Sequence, residues 1–261
     1  RAALPNESIV YFGDTARLPY GNKTGQTVSR FVSQIIAYLE RFEPKHVVIA
    51  CNTATALALP LIREQFLGLT ISGVIDPGAK AAVVAAGKKA TPVIGVIATE
   101  ATVKSRAYER AIVSRRRHAR LTVKPTPLLV PIIEEGRREE DALVKLALRQ
   151  YIEPMMKKGL DVLVLGCTHY PILKKAIVEL VGPDVAVIDS AQQCADDVAR
   201  RLADASLLRD GTDGPGDLRC FVTDDPDRFA RLGSRFLGVP IEPPTWVCAD
   251  ELYELIETED D

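Results

Sequence analysis

The chain has 261 residues and nearly balanced charge, 33 Lys+Arg against 35 Asp+Glu, for a formal net charge of −2. Hydrophobic residues make up 47% and charged residues 26%, which excludes a disordered chain, since disorder needs low hydrophobicity with high net charge. The balance gives no global field for holding nucleic acid or an anionic membrane, and no apolar run approaches the ~20 residues of a membrane span.

Runs rich in Val and Ile alternate with amphipathic patterns, which predicts an α/β fold of parallel sheets flanked by helices. Strands are expected at Ser8–Phe12, His46–Ala50, Ile71–Ile75, Val93–Ala98, Leu121–Lys124, Asp161–Leu165, Val185–Ile188 and Cys220–Thr223. Between the first two, Phe31, Ile35, Tyr38, Leu39 and Phe42 share one face of a helix over Thr27–Phe42. Arg106, Arg110, Arg115, Arg116, Arg117 and Arg120 form a basic face on a helix or its end, read as a solvated surface. Cys194, Val198 and Leu202, four apart, mark a later helix, with Ser190 or Asp189 placed to cap it. Arg209–Asp217 reads as a surface loop and is not a phosphate-binding glycine motif. The acidic tail Glu257–Asp261 is expected to fray.

The five cysteines, Cys51, Cys167, Cys194, Cys220 and Cys248, include no CxxC pair, and His46, His118 and His169 are far apart. No metal site is expected from that spacing, and free thiols fit a reducing cytoplasm. Two segments share a plan: His46-Val-Val-Ile-Ala-Cys51-Asn52-Thr53 and Asp161-Val-Leu-Val-Leu-Gly-Cys167-Thr168-His169. Each reads as a buried strand ending in Cys, a polar pair and then a helix. The repeat suggests two pseudo-symmetric lobes, 1–75 with the return segment 190–261, and 76–189, the change falling near Asp76-Pro77. The second lobe opens with the strand Val93–Ala98, and a matching strand for the first is expected to precede Arg1. A site in the cleft between the lobes is expected, because ligands of parallel sheets bind beyond the carboxyl ends of the strands. A helix start offers unpaired N–H groups, which lower a thiol's pKa and cradle a carboxylate. Cys194, Cys220 and Cys248 lack that setting and read as packing residues.

Tyr11-Phe12-Gly13-Asp14-Thr15-Ala16-Arg17-Leu18-Pro19-Tyr20-Gly21, Ala50-Cys51-Asn52-Thr53-Ala54 and Gly166-Cys167-Thr168-His169-Tyr170-Pro171 resemble the signature segments of bacterial glutamate racemases. Pro127-Leu-Leu-Val-Pro131-Ile-Ile-Glu134-Glu135-Gly136 resembles a fourth, and His169 after Cys-Thr is similar to the glutamate rather than the aspartate branch. The resemblance implies cofactor-independent racemisation of glutamate by two cysteine acid/bases, Cys51 and Cys167, supplying D-glutamate for peptidoglycan. It implies supporting acid/base roles for Asp14, Glu134 and His169. Substrate contacts are implied at Tyr20, Gly21, Asn52, Thr53, Thr168 and His169, with Thr99 and Thr102 as secondary contacts. A homodimer is also implied. An Asp-Ser-Gly strand normal to such enzymes is missing where the repeat calls for one.

The residues themselves leave other readings open. Asp14 fits a turn or cap, Glu134 a solvated pair with Glu135, and His169 a structural histidine. An aspartate or other acidic amino-acid racemase is the alternative within the superfamily. A catalytically weak family member that binds DNA gyrase by protein contact, without direct nucleic acid, is another. A cysteine hydrolase using Cys167 and His169 is disfavoured, because residues two apart at a strand end rarely aim at each other and Cys51 is left unexplained.

Overall fold

The computed structural model describes residues 1–212 and 214–255, so the expected frayed tail Glu257–Asp261 lies outside the described residues. The first part of the chain carries β1 (Ile9–Gly13), α1 (Gly25–Glu40), β2 (Val47–Ile49), α2 (Asn52–Gln65), β3 (Ile71–Gly73) and α3 (Ile75–Ala85). The middle carries β4 (Val93–Ala98), α4 (Glu100–Ser105), α5 (Ala107–Val113), β5 (Arg120–Pro125), α6 (Leu129–Glu134) and α7 (Ala142–Met156). Then follow β6 (Val162–Gly166), α8 (Lys174–Val181), β7 (Ala186–Asp189), α9 (Ser190–Asp204), β8 (Leu218–Val222), α10 (Pro226–Leu237) and β9 (Thr245–Trp246). Every expected strand is present, most with an end moved by one or two residues, and β9 is an addition. Among the described residues no helix is long and apolar enough to cross a membrane.

The chain forms two compact units, one of 1–47, 60–72 and 195–261, the other of 48–59 and 73–194. In the first, β1, β8 and β9 form a parallel sheet in that order, with Ile9 opposite Leu218 and Phe221 opposite Thr245. Phe12, Tyr38, Phe42 and Phe221 cluster on its core with Val247 and Leu252, Phe12 and Tyr38 meeting edge to face at 5.1 Å. Helix α1 starts where the Thr24 hydroxyl accepts the Thr27 N–H. It is buried more widely than one apolar stripe, since Ser33 and Gln34 are also covered, each bonded: Ser33 to Gln65 and Gln34 to Arg17. Strands β2 and β3 pair with each other.

The second unit is built on a four-stranded parallel sheet of order β5-β4-β6-β7. All six residues of β4 and all five of β6 are buried, as the unbroken apolar runs require of strands covered on both faces. One face meets Leu129, Ile133, Leu148, Ile152 and Ile177 from α6, α7 and α8. The other meets Ala79, Ala82, Tyr108 and Ile112 from α3 and α5. Each large aliphatic side chain fully buried there contributes about 1.5–3 kcal/mol. A Cβ at Gly95 in β4 would stand 2.7 Å from a Leu160 methyl and 2.8 Å from the Met155 methyl, so both side-chain ends would have to shift to admit it. Asp189 caps α9 by accepting the Ala191 N–H at 2.9 Å, while Ser190 turns inward to donate to the Leu165 carbonyl.

The arginine face is partly structural. Arg116 donates to the Gly87 and Lys89 carbonyls and Arg115 to Asp76 and the Ala111 carbonyl. The Ala111 bond lies at the carboxyl end of α5, where cations suit the helix dipole, and the others tie the following turn to α3 and to the segment before β4; Arg117 and Arg120 stay exposed.

Candidate active site

Register places Ala98 opposite Gly166, so the chain leaving β4 at Thr99 and the chain leaving β6 at Cys167 emerge side by side. Cys51 stands just before α2. Its carbonyl accepts the Thr55 N–H at 2.8 Å, which makes it the capping residue of that helix. Its sulfur accepts from the N–H groups of Thr53 and Ala54 and from the Thr53 hydroxyl, taking the place of the usual capping oxygen. Thr55 anchors the turn by donating to the Ile49 carbonyl and accepting from the Val74 N–H. That approach requires Gly73, where a Cβ would lie 2.4 Å from a Thr55 methyl.

Hydroxyl groups hold the other side of this turn. Thr53 lies 2.9 Å from Thr99 and 3.3 Å from Thr102, which are 3.0 Å from each other. Thr99 also caps α4 by accepting the Thr102 N–H. The expected secondary contacts Thr99 and Thr102 therefore hold Thr53, which in turn bonds the Cys51 sulfur. Asn52 is 2% exposed; its Oδ1 accepts from the Tyr108 hydroxyl at 2.7 Å, and its Nδ2 is buried with no partner among the described residues.

Cys167 is 6% exposed and follows β6 directly. The chain after it does not enter an α-helix at once, as the shared plan predicted. A 3-10 turn, Tyr170–Leu173, comes first and α8 begins only at Lys174. Pro171 is the physical reason, since it restricts Tyr170 and supplies no N–H. The Cys167 carbonyl accepts the Tyr170 N–H, and its sulfur accepts from the His169 N–H and the Thr168 hydroxyl.

This turn also corrects the expectation that residues 167 and 169 do not face each other. Cys167 Sγ lies 3.8 Å from His169 Nδ1, and His169 Nε2 lies 3.1 Å from Glu134 Oε1. A carboxylate at Nε2 favours the tautomer with its proton there, leaving the Nδ1 lone pair for the thiol. Glu134 makes this contact, while Glu135 pairs with Arg137.

Burial dominates both thiols. It pushes Cys51 up from the ordinary thiol value against the pull of its N–H donors. It pushes Cys167 up to about 12, with the negative charges of Cys51 and Glu134 adding to the rise. Both are thiols at neutral pH, and a charge on Cys51 is felt at Cys167.

Behind Cys167 stand two buried phenols that the sequence did not single out. Tyr170 shares a hydrogen bond with Thr126 at 2.6 Å, and Tyr108 lies against Gly166. Burial and the charge of Cys167 raise both phenol pKa values. Of the expected site residues, Cys51, Asn52, Thr53, Glu134, Cys167, Thr168 and His169 share the second unit; Asp14, Tyr20 and Gly21 belong to the first. There Asp14 is saturated: Arg17 Nε lies 2.8 Å from both oxygens, and the Tyr20 and Thr223 hydroxyls donate to them. Arg17 stacks over Phe31 at 4.2 Å.

The sequence profile of the Asp/Glu/Hydantoin racemase family matches residues 1–198. A glutamate racemase of Geobacter metallireducens is 43% identical over 90% of this chain and 85% of its own. Glutamate racemase of Francisella tularensis, solved with D-glutamate, superposes with a TM-score of 0.86 at 34% identity, covering 96% of this chain and 91% of that one. That of Thermus thermophilus, solved with beta-chloro-D-alanine, gives 0.82 at 41% identity over 96% and 91%. The α/β chain described here belongs to the Asp/Glu/Hydantoin racemase family, with glutamate racemases as its near relatives.

Proposed function

We propose that the protein interconverts L- and D-glutamate, with Cys51 and Cys167 as the two acid/bases. Inverting a carbon centre by proton transfer needs a base on one face and an acid on the other. The observation that carries this reading is a pair of cysteines at strand ends in one unit, tied together through the Thr53–Thr99 hydroxyl contact and the Ala98–Gly166 register, with Cys167 buried and Cys51 partly so. One cysteine as thiolate removes the α-proton, the opposite thiol delivers its proton to the other face, and the roles exchange for the opposite enantiomer.

At Cys167 the thiolate forms by transfer of its proton to His169 Nδ1, with Glu134 stabilising the imidazolium through Nε2. The unpaired Asn52 Nδ2 is a donor suited to the substrate carboxylate. Asp14, with both oxygens already committed, serves as a positioning residue for the Tyr20 turn rather than as a proton carrier. The product D-glutamate would enter peptidoglycan synthesis in the cytoplasm.

Replacing either Cys51 or Cys167 with Ala should lower racemisation in both directions by more than about 1,000-fold. Circular dichroism should show the fold retained. Undiminished racemisation by either variant would overturn the assignment.

A further inference from the structure

The geometry points to Tyr108 as a positioning residue that sets the separation of the two thiols, an inference resting on the two-cysteine reading above. Tyr108 projects from α5, is 2% exposed, and touches the neighbours of both cysteines. Its hydroxyl donates to Asn52, the residue after Cys51, at 2.7 Å. Its ring lies against Gly166, the residue before Cys167, where a Cβ would stand 3.1 Å from the ring edge. Gly78 of α3 leaves room on the hydroxyl's far side, with a Cβ position 3.4 Å away. One rigid aromatic group therefore spans the two cysteine segments, its hydroxyl bonded to Asn52 and in reach of Ser190, its ring packed on Gly166.

The hydroxyl also decides what Asn52 presents. Donation into Oδ1 turns Nδ2 away from Tyr108 and keeps it as a donor. Without the hydroxyl, Oδ1 is left buried and unpaired, and the amide must rotate or shift to recover a partner. The start of α2 moves with it, and Cys51 moves more than Cys167, because the ring still supports Gly166.

The test is Tyr108→Phe, which keeps the ring and removes only the hydroxyl. The two enantiomers have equal free energy, so kcat/KM must fall equally in both directions, by roughly 10-fold for a sub-ångström misplacement. The asymmetry appears in primary isotope effects measured with α-deuterated L- and D-glutamate. The effect should grow for the enantiomer whose proton Cys51 removes and shrink for the other, since only transfers at Cys51 are slowed. Asn52→Ala should produce the same split, and adding Tyr108→Phe to it should change the rate by less than twofold.

Isotope effects that move together, or rate losses that multiply in the double variant, would overturn the inference. If Tyr108→Phe does not fold, Asn52→Ala decides from the other end of the same bond, an unsplit result again overturning it. The cysteine variants separate the two claims. Racemisation that survives loss of a cysteine removes the two-thiol reading, whereas dependence on both with unsplit isotope effects removes only the role of Tyr108.

Discussion

Cys51 and Cys167 follow strands in similar sequence settings, yet their surroundings differ in kind. Cys51 is partly exposed at the start of a fourteen-residue helix, where backbone N–H groups and the Thr53 hydroxyl favour its thiolate, Thr53 itself being held by Thr99 and Thr102. Cys167 is buried before a short 3-10 turn and faces an imidazole braced by a carboxylate. Both sulfurs receive N–H donors, which stabilise a thiolate. Cys167 has a group within reach that can take its proton, His169 Nδ1 at 3.8 Å. On the proposed two-cysteine mechanism, two thiols are thus prepared differently, one by hydrogen-bond donors and one by an ionisable partner as well.

The sharpest way to break this comparison is to remove the brace at Cys167. Glu134→Gln keeps the shape of the side chain but no longer favours an imidazolium at His169. The turnover rate should fall by about 100-fold, the scale of one general acid/base contribution. The loss should fall on proton transfer at Cys167, so isotope effects should split in the opposite sense to Tyr108→Phe. Equal isotope effects in both directions would mean that His169 serves both thiols, and the contrast would disappear.

A second comparison uses stability. The Cys167 thiol is held at about 12 in the folded protein against a reference value of 9.0, so folding favours its protonated form. That contribution is complete below about pH 9 and is lost as pH rises toward 12, because the unfolded chain can release the proton and the folded one cannot. At pH 10.5 it amounts to about 2 kcal/mol, at about 1.4 kcal/mol per pK unit. Urea titrations at pH 8 and 10.5 should therefore show a smaller alkaline loss for Cys167→Ala than for the parent, with Cys51→Ala in between. Equal losses in all three would mean that Cys167 does not carry this penalty.

Most of the strands of this molecule could be anticipated because buried parallel strands announce themselves as unbroken Val/Ile runs, as in Val93–Ala98, whereas their order in the sheets could not. Thr245–Trp246 could not, since two residues after a Pro-Pro pair carry no period, and β9 exists only through its pairing with Phe221 and Val222. The break between α4 and α5 is equally hidden, because Arg106 takes a left-handed φ of 56° with no glycine to mark it. Both cysteines were legible from their matched settings. The partners Glu134 and His169 came from resemblance, and their mutual contact spans 35 positions. Tyr108 was invisible: with Ile112 four residues on, it reads as an apolar stripe, and its hydroxyl gains meaning only from Asn52, 56 residues away. The contact of 167 with 169 is hidden because residues two apart at a strand end rarely aim at each other, and only the turn that begins after Gly166 brings them to 3.8 Å.

Thiol chemistry gives a third comparison. With iodoacetamide at pH 8, Cys51 should be alkylated roughly 10-fold faster than Cys167, because it is the more exposed and its N–H donors favour the thiolate. Peptide mapping after partial reaction reads the ratio directly, and preferential loss of Cys167 would reverse the order of access argued here.

The smallest effect should come from the hydroxyl ring beside Cys51. Thr99→Val keeps the volume and removes one hydroxyl, deleting its bonds to Thr53 and Thr102 together with the α4 cap. Losing that cap costs about 1 kcal/mol of stability, which a melting curve will register. The effect on catalysis should be smaller than that of any preceding variant, because Thr53 retains Thr102 at 3.3 Å and still donates to the Cys51 sulfur. A fewfold loss of kcat, with isotope effects shifted in the same sense as in Tyr108→Phe, places Thr99 on the Cys51 side of the site. A shift in the sense of Glu134→Gln would assign it to Cys167 instead, which is reachable because β4 and β6 end side by side. Thr99 is thus the residue at which the two halves of the contrast can be told apart with the least disturbance.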